Sequence, residues 1–252
     1  MADGHDGLVG LPPRDFEVYG HCGSMTVCEW QELDRFDPEQ KRRLARTFDR
    51  IALQNYQMNP THFIDQYEKL FKPDTHLYLG VNDHAEIVAW SLVRQMEFEG
   101  IPLMYGWLAN VVPSYQGMGF AKRVRDRALA IARLREPCVI YSTSTRNPVV
   151  YHNSRKICTY LLPTLTGDDA VPQDVRKMLL GAASFLAATV YERWTVDIDN
   201  LCIKNEMPVA TYAHNESFKA TDPFDRAFYA HPSVRNARDG MLLIGLALGN
   251  EK

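Results

Sequence analysis

The residues with the clearest chemical use form one run, Val111-Val112-Pro113-Ser114-Tyr115-Gln116-Gly117-Met118-Gly119-Phe120-Ala121, followed by Lys122 and Arg123. It joins an apolar stretch to a basic stretch of helical period. A chain that turns this sharply needs residues without a Cβ, and Gly117 and Gly119 supply them. The turn leaves backbone N–H groups unpaired and backed by the positive end of a helix dipole, an arrangement that holds a phosphate or pyrophosphate. Lys122 and Arg123 add positive charge in the first helical turn. Two other glycine motifs are excluded. No Gly-Lys-Ser/Thr tripeptide ends a nucleotide-triphosphate loop, and Lys122 stands where the dinucleotide fingerprint needs its third glycine.

The elements that must position this run follow from the periodicity. Residues 1–22 carry Gly, Pro and Asp and read as a loose N-terminal arm. Met25 to Leu33 alternates as a first strand. Asp37-Pro38-Glu39 caps and opens a helix whose buried stripe is Leu44, Phe48, Ile51 and Ala52. A second helix is predicted from Asn59-Pro60-Thr61, carrying Phe63, Tyr67, Leu70 and Phe71. The period then drops to two: strands His76–Val81, Glu86–Glu97 and Pro102–Val112 are separated by turns at Asn82-Asp83-His84 and Glu99-Gly100.

The basic helix runs from about Gly117 to Arg135. Cys138–Thr143 is a short apolar strand of the fully covered kind. A helix opens at Asn147-Pro148 and reaches about Tyr160, and a longer apolar helix covers Asp174–Arg193. Strands Asn200–Tyr212 and Met241–Leu248 close the chain. This order predicts an α/β fold, a mixed and mostly antiparallel sheet with helices on both faces, in one domain over 23–252 with 160–252 as an extended C-terminal part.

Composition narrows the function. The chain has 252 residues, 46% hydrophobic and 23% charged, which suffices for a sizeable core. Its 28 basic and 31 acidic residues give a formal net charge of −3, so no basic stripe calls for nucleic acid. A small-molecule acceptor is the expected partner. Met1 to Gly10 lacks the basic flank and apolar core of a secretory signal, and no apolar run is long enough for a bilayer. Cys22, Cys28, Cys138, Cys158 and Cys202 form no CxxC pair, so no metal site is expected, and reduced thiols in the cytoplasm are.

Gln116-Gly117-Met118-Gly119-Phe120-Ala121 resembles the pyrophosphate loop Gln/Arg-x-x-Gly-x-Gly/Ala of the GNAT acetyltransferase superfamily, with Pro113-Ser114-Tyr115 as the usual lead-in. The resemblance covers Met25 to Tyr160 and returns in the last two strands. It implies acetyl-CoA, or another acyl-CoA, lying where the central strands of the sheet splay apart. Asn110, Val111 and Val112 would then offer backbone groups to the pantetheine arm. Gln116, Gly117, Met118, Gly119, Phe120, Ala121 and Lys122 would hold the pyrophosphate, and Asn147 would meet the cofactor from the fifth-strand side. The implied activity is N-acetyl transfer, directly within a ternary complex, to an amine or hydroxyl of a small molecule.

The match thins at the acid and the base. Ser154 stands where the family places a tyrosine that protonates the leaving thiolate, which leaves Tyr151, one helical turn after Asn147, as candidate acid and His152 as a second. The strand Leu103–Val112 contains no carboxylate, so Glu97 is the candidate base, with Glu99 beside it. Tyr105 and Trp107 alternate onto one face, as pocket or core. The loop from Asn215 to Asp239, with His214, Phe218, Phe224, Phe228 and His231 in or beside it, suits a lid or the face of a homodimer. Two other functions fit the same departures: a non-catalytic CoA-binding or regulatory module, and an enzyme of specialised metabolism that uses the fold without CoA.

Overall fold

The computed structural model describes residues 17–56, 58–165, 170–204, 223–235 and 238–249. The chain forms two compact units, Met1–Gln95 with Gly106–Ala128, and Met96–Tyr105 with Leu129–Lys252.

In the first unit β1 (Glu17–Cys22), β2 (Met25–Trp30), β3 (Thr75–Val81) and β4 (Ile87–Phe98) pair antiparallel in that order, and β5 (Ile101–Val111) follows β4. Residues 17–22, expected in the arm, are therefore strand. Their glycine hides the pattern, and a bulge adds to the disguise: Val18 pairs with Cys28 and Gly20 with Val27, leaving Tyr19 as an extra residue. A second bulge lies in β4, where Gly80 pairs with Ala89 and Val81 with Ile87, so Val88 has no partner in β3.

Helix α1 (Pro38–Ala52) begins as predicted. The Asp37 side chain accepts from Gln40 N while the Gln40 side chain accepts from Asp37 N, a complete capping box with Pro38 at the first helical position. Its buried face brings Phe48 onto Trp90, ring centroids 4.3 Å apart, with Phe63 and Phe71 beside them. The second predicted helix is not continuous. A 3-10 turn at Ile64–Gln66 and α2 (Tyr67–Leu70) replace it. The cause is Asp49, buried on α1, whose carboxylate accepts from Phe63 N at 2.8 Å and Ile64 N at 3.0 Å. Those donors are withdrawn from any local helix. Burial raises the Asp49 pKa, against the two backbone bonds.

Helix α3 (Phe120–Arg133) lies on this sheet through its first half. Phe120 is buried, and Gly80 makes its seat: a Cβ at 80 would meet Ala89 Cβ at 2.9 Å, Met25 Sδ at 3.2 Å and the Phe120 ring at 3.4 Å. Farther along, Arg127 Nε donates to Glu29 Oε2 at 2.7 Å, and Tyr78 donates to Glu29 Oε1 at 3.0 Å. Burial pushes the Glu29 carboxyl up, but His76, its Nδ1 3.5 Å from the carboxylate, and the hydrogen bonds from Arg127 and Tyr78 outweigh it and hold the group below its ordinary value. The bulged Tyr19 stacks under Arg127, 5.0 Å from guanidinium to ring centroid.

The second unit is built on β10 (Gly240–Leu248), buried along almost its whole length. It pairs antiparallel with β6 (Cys138–Thr145), β7 (Tyr160–Leu162) and β9 (Cys202–Ile203), and β9 pairs with β8 (Val196–Asp197). Helix α4 (Pro148–Ile157) follows β6, and α5 (Gln173–Thr189) packs on β7 and β10. Gly245 allows the close approach of β7, because a Cβ there would stand 2.6 Å from Tyr160 O. The strand expected over 200–212 is only the short β9 among the described residues. The stretch 205–222, with His214 and Phe218, lies outside them. Beyond it, part of the expected loop is helical, α6 (Pro223–Ala230) and α7 (Pro232–Arg235), and Phe228 is core rather than lid.

The fold is thus mixed α/β on a mostly antiparallel sheet. Among the described residues no helix is long and apolar enough to cross a membrane.

Candidate functional site

Strand β5 leads into the site with its two edges used differently. Val112 N donates to Val88 O at 2.9 Å, at the β4 bulge, and the Ser91 hydroxyl donates to Leu108 O at 2.8 Å. Even-numbered residues therefore turn their backbone groups to β4, and Val111 turns its own away from it. Asn110 is only 4% exposed, and its side-chain Oδ1 has no hydrogen-bond partner among the described residues.

A 3-10 turn at Pro113–Tyr115 carries the chain out of the strand. Gly117 and Gly119 follow with φ of +81° and +92°, a region that other residues enter only at a cost. A Cβ built at either meets nothing within 4 Å, so backbone conformation, not crowding, demands glycine, and the space over both is open. Gly119 O accepts from Arg123 N at 3.0 Å, which makes Gly119 the cap of α3. The six amide N–H groups from Gly117 to Lys122 have no acceptor among the described residues. That row of donors, at the positive end of a helix of fourteen residues, is what an anion requires.

The side chains around it are already engaged. Gln116 Nε2 donates to Asn55 Oδ1 at 2.9 Å and to Val111 O at 3.2 Å, and Asn55 Nδ2 donates to Val111 O at 3.0 Å. Tyr115 Oη accepts from Asn82 Nδ2 at 3.3 Å. Met118 is partly exposed and abuts the β1–β2 turn, where a Cβ on Gly23 would meet its Sδ at 3.0 Å. Lys122 Nζ pairs with Asp126 at 2.7 Å, one helical turn along.

The predicted residues are divided between the two units. Asn110, Val111, Val112 and the loop Gln116, Gly117, Met118, Gly119, Phe120, Ala121 and Lys122 are together in the first unit, while Glu97, Asn147 and Tyr151 belong to the second. Several expectations need correcting. The Val112 N–H is spent on β4 and the Val111 carbonyl on two side-chain amides, so neither stands free for a pantetheine arm. Phe120 serves the loop as a buried anchor, and Lys122 rests on a carboxylate. Asn147 accepts from Val149 N at 2.9 Å as the N-cap of α4.

Tyr151 is 1% exposed, packs on Phe228 and donates its hydroxyl to Pro163 O at 2.8 Å, which commits it to the core. Ser154 is equally buried and donates to Val150 O. Glu97 is exposed and pairs with Arg135 at 3.5 Å. Tyr105 is core as well, its hydroxyl meeting that of Tyr191. Sequence reasoning passed over Asn55 and Asn82, which follow no motif, and Gly80, whose use depends on a partner forty residues away.

Comparison with solved structures gives partial likenesses at low identity. A nourseothricin acetyltransferase matches at 18% identity with a TM-score of 0.29, over 39% of this chain and 59% of its own. An aminoglycoside N-acetyltransferase in complex with CoA matches at 11% identity, over 58% of this chain and 88% of that one, TM-score 0.37. A GNAT family acetyltransferase from Staphylococcus aureus matches at 17%, over 44% and 81%, TM-score 0.32. The chain is similar to GNAT acetyltransferases. It spans only 59% of the nourseothricin acetyltransferase that it resembles. No family model matches the sequence, and no curated protein matches it.

Proposed function

We propose that the loop Gln116–Lys122 holds the pyrophosphate of an acyl-CoA, acetyl-CoA first among them, and that the protein transfers the acyl group to an amine or hydroxyl of a small molecule. The observation that carries this reading is the row of six N–H groups without acceptors among the described residues, turned out by two glycines at positive φ and backed by α3. An anion of two linked phosphates suits such a row because each oxygen takes more than one donor. The open space over Gly117 and Gly119 leaves room for it. The residues present therefore fit the pyrophosphate, while the strand end fits a pantetheine arm only if the two amides on Val111 O give way.

What the cofactor supplies when bound is a thioester, an acyl group already activated toward a nucleophile. The chain contributes binding and orientation. Phe120, seated over Gly80, fixes where α3 begins, and the loop amides fix the anion relative to that point. With the anion held, positioning alone lowers the barrier to acyl transfer substantially. The burial of Tyr151 and Ser154 removes both from proton transfer to a leaving thiolate in this conformation, and that observation supports a second reading, a CoA-binding module without catalysis.

Calorimetric titration of the protein with acetyl-CoA and free CoA tests the shared premise. Binding in the micromolar range followed by release of free thiol with an amine acceptor supports transfer. Binding without thiol release across a broad amine and alcohol screen supports the module. Absence of binding to acetyl-CoA, CoA and longer acyl-CoAs removes both.

A further inference from the structure

The glycines that open the loop also leave it free to move, since each can occupy many backbone conformations. Something outside the loop must choose one. The described contacts identify two points of attachment, both before Gly117 and both made by asparagines from other elements.

At the first, three groups close a ring: Asn55 Nδ2 on Val111 O, Gln116 Nε2 on Val111 O, and Gln116 Nε2 on Asn55 Oδ1. Asn55 is itself fixed just past α1, where its N–H donates to Ala52 O at 2.8 Å and its Nδ2 also reaches Ile51 O at 3.5 Å. The end of β5, the last residue before the glycines and the end of α1 thus meet at one carbonyl. At the second, Asn82 Nδ2 donates to Tyr115 Oη, while Asn82 Oδ1 accepts from His84 N and Glu86 N and ties the asparagine to the β3–β4 turn. With Gln116 and Tyr115 both held, the lead-in cannot pivot about Val112 without breaking hydrogen bonds on both sides.

Resting on the acyl-CoA reading above, we propose that Asn55 is a positioning residue for this loop. It acts through Gln116 and Val111 to set the direction of the N–H groups from Gly117 to Lys122, and it touches no ligand itself. A loop ordered in advance does not lose that freedom on binding, so its affinity is higher by the ordering it avoids.

The test compares wild type with Asn55→Ala and Asn55→Asp, the second keeping an acceptor for Gln116 while losing the donor to Val111. Two ligands are titrated: CoA, and adenosine 3′-phosphate 5′-diphosphate, which has the pyrophosphate but no pantetheine arm. Nitrogen-15 relaxation is recorded at Gly117 and Gly119 in the ligand-free proteins. The expected result is a fall in both glycine order parameters and an equal weakening of both ligands, about tenfold for the two loop hydrogen bonds that Asn55→Ala removes and less for the one that Asn55→Asp removes.

Unchanged order parameters overturn the proposal, as do unchanged affinities. A variant that binds CoA more tightly with the nucleotide unaffected also overturns it, because Asn55 then only competes for the Val111 carbonyl. If the wild type binds neither ligand, the acyl-CoA reading fails on its own. The relaxation comparison still decides whether Asn55 orders the loop.

Discussion

Replacing Gly119 separates the loop's conformation from its charge. At φ +92° any side chain is strained, and with nothing within 4 Å of a Cβ the strain is all backbone. That costs roughly 1–2 kcal/mol for alanine. In a chain of this length each kcal/mol lowers Tm by about 2–4 °C, so Gly119→Ala melts about 2–8 °C below wild type. Gly119→Glu carries a similar backbone cost and adds a carboxylate. A unit charge about 5 Å from a phosphate, at an effective dielectric of about 20, is repelled by about 3 kcal/mol. This corresponds to about a hundredfold in affinity. Differential scanning calorimetry and calorimetric titration with CoA give the two numbers on the same samples. The expected pattern is similar melting for both variants, a modest loss of CoA affinity for alanine and a loss of at least about a hundredfold for glutamate. If Gly119→Glu melts like Gly119→Ala and binds CoA as wild type does, the anion does not lie on this loop and the reasoning fails.

Three other outcomes follow from the same contacts. Gly80→Val puts two methyl groups where even a Cβ would be crowded by Ala89, Met25 and Phe120, so a loss of about 1–3 kcal/mol in urea unfolding is expected together with weaker CoA binding, since Phe120 starts α3. Arg127→Gln leaves the buried Glu29 without its guanidinium and lowers stability by about 3 kcal/mol at neutral pH, Arg127 being one-quarter exposed. The folded Glu29 pKa lies below the unfolded value near 4.3, so this stability is complete above that value and disappears as pH falls through the folded pKa. Urea midpoints between pH 7 and pH 3 should therefore converge for wild type and variant at the acid end, and a gap that stays constant counts against the network. Tyr151→Phe removes the bond to Pro163 O and costs about 1 kcal/mol with CoA affinity unchanged. A loss of thiol release without loss of stability would return Tyr151 to the role of acid.

What could be read from the sequence was whatever chemistry is local. The cap and first-turn proline at Asp37-Pro38, the helix start at Asn147-Pro148 and the paired glycines each work within a few residues, so spacing alone revealed them. What could not be read depends on distant partners. Asn55 meets a carbonyl 56 positions away, and Asp49 diverts the N–H groups of Phe63 and Ile64 from a helix that composition favours. Tyr151 shows a related limit: helical spacing puts it one turn after Asn147 but does not say whether that face meets a cleft or a core. The bulge at Tyr19 hid β1 in the same way, because an extra residue breaks the alternation by which strands are recognised.

That bulge has a consequence for crowded solutions. Among the described strands β1 is outermost, and an outermost strand presents a row of N–H and C=O groups on which another chain can stack. The extra residue interrupts the row in the middle of six residues and twists the rim locally. Arg123 and Arg127, holding the Tyr19 ring from the α3 side, keep that irregularity in place. The rim is a poor template for growth, and removing the bulged residue by deleting Tyr19 should straighten it and turn the edge into a seed for aggregation.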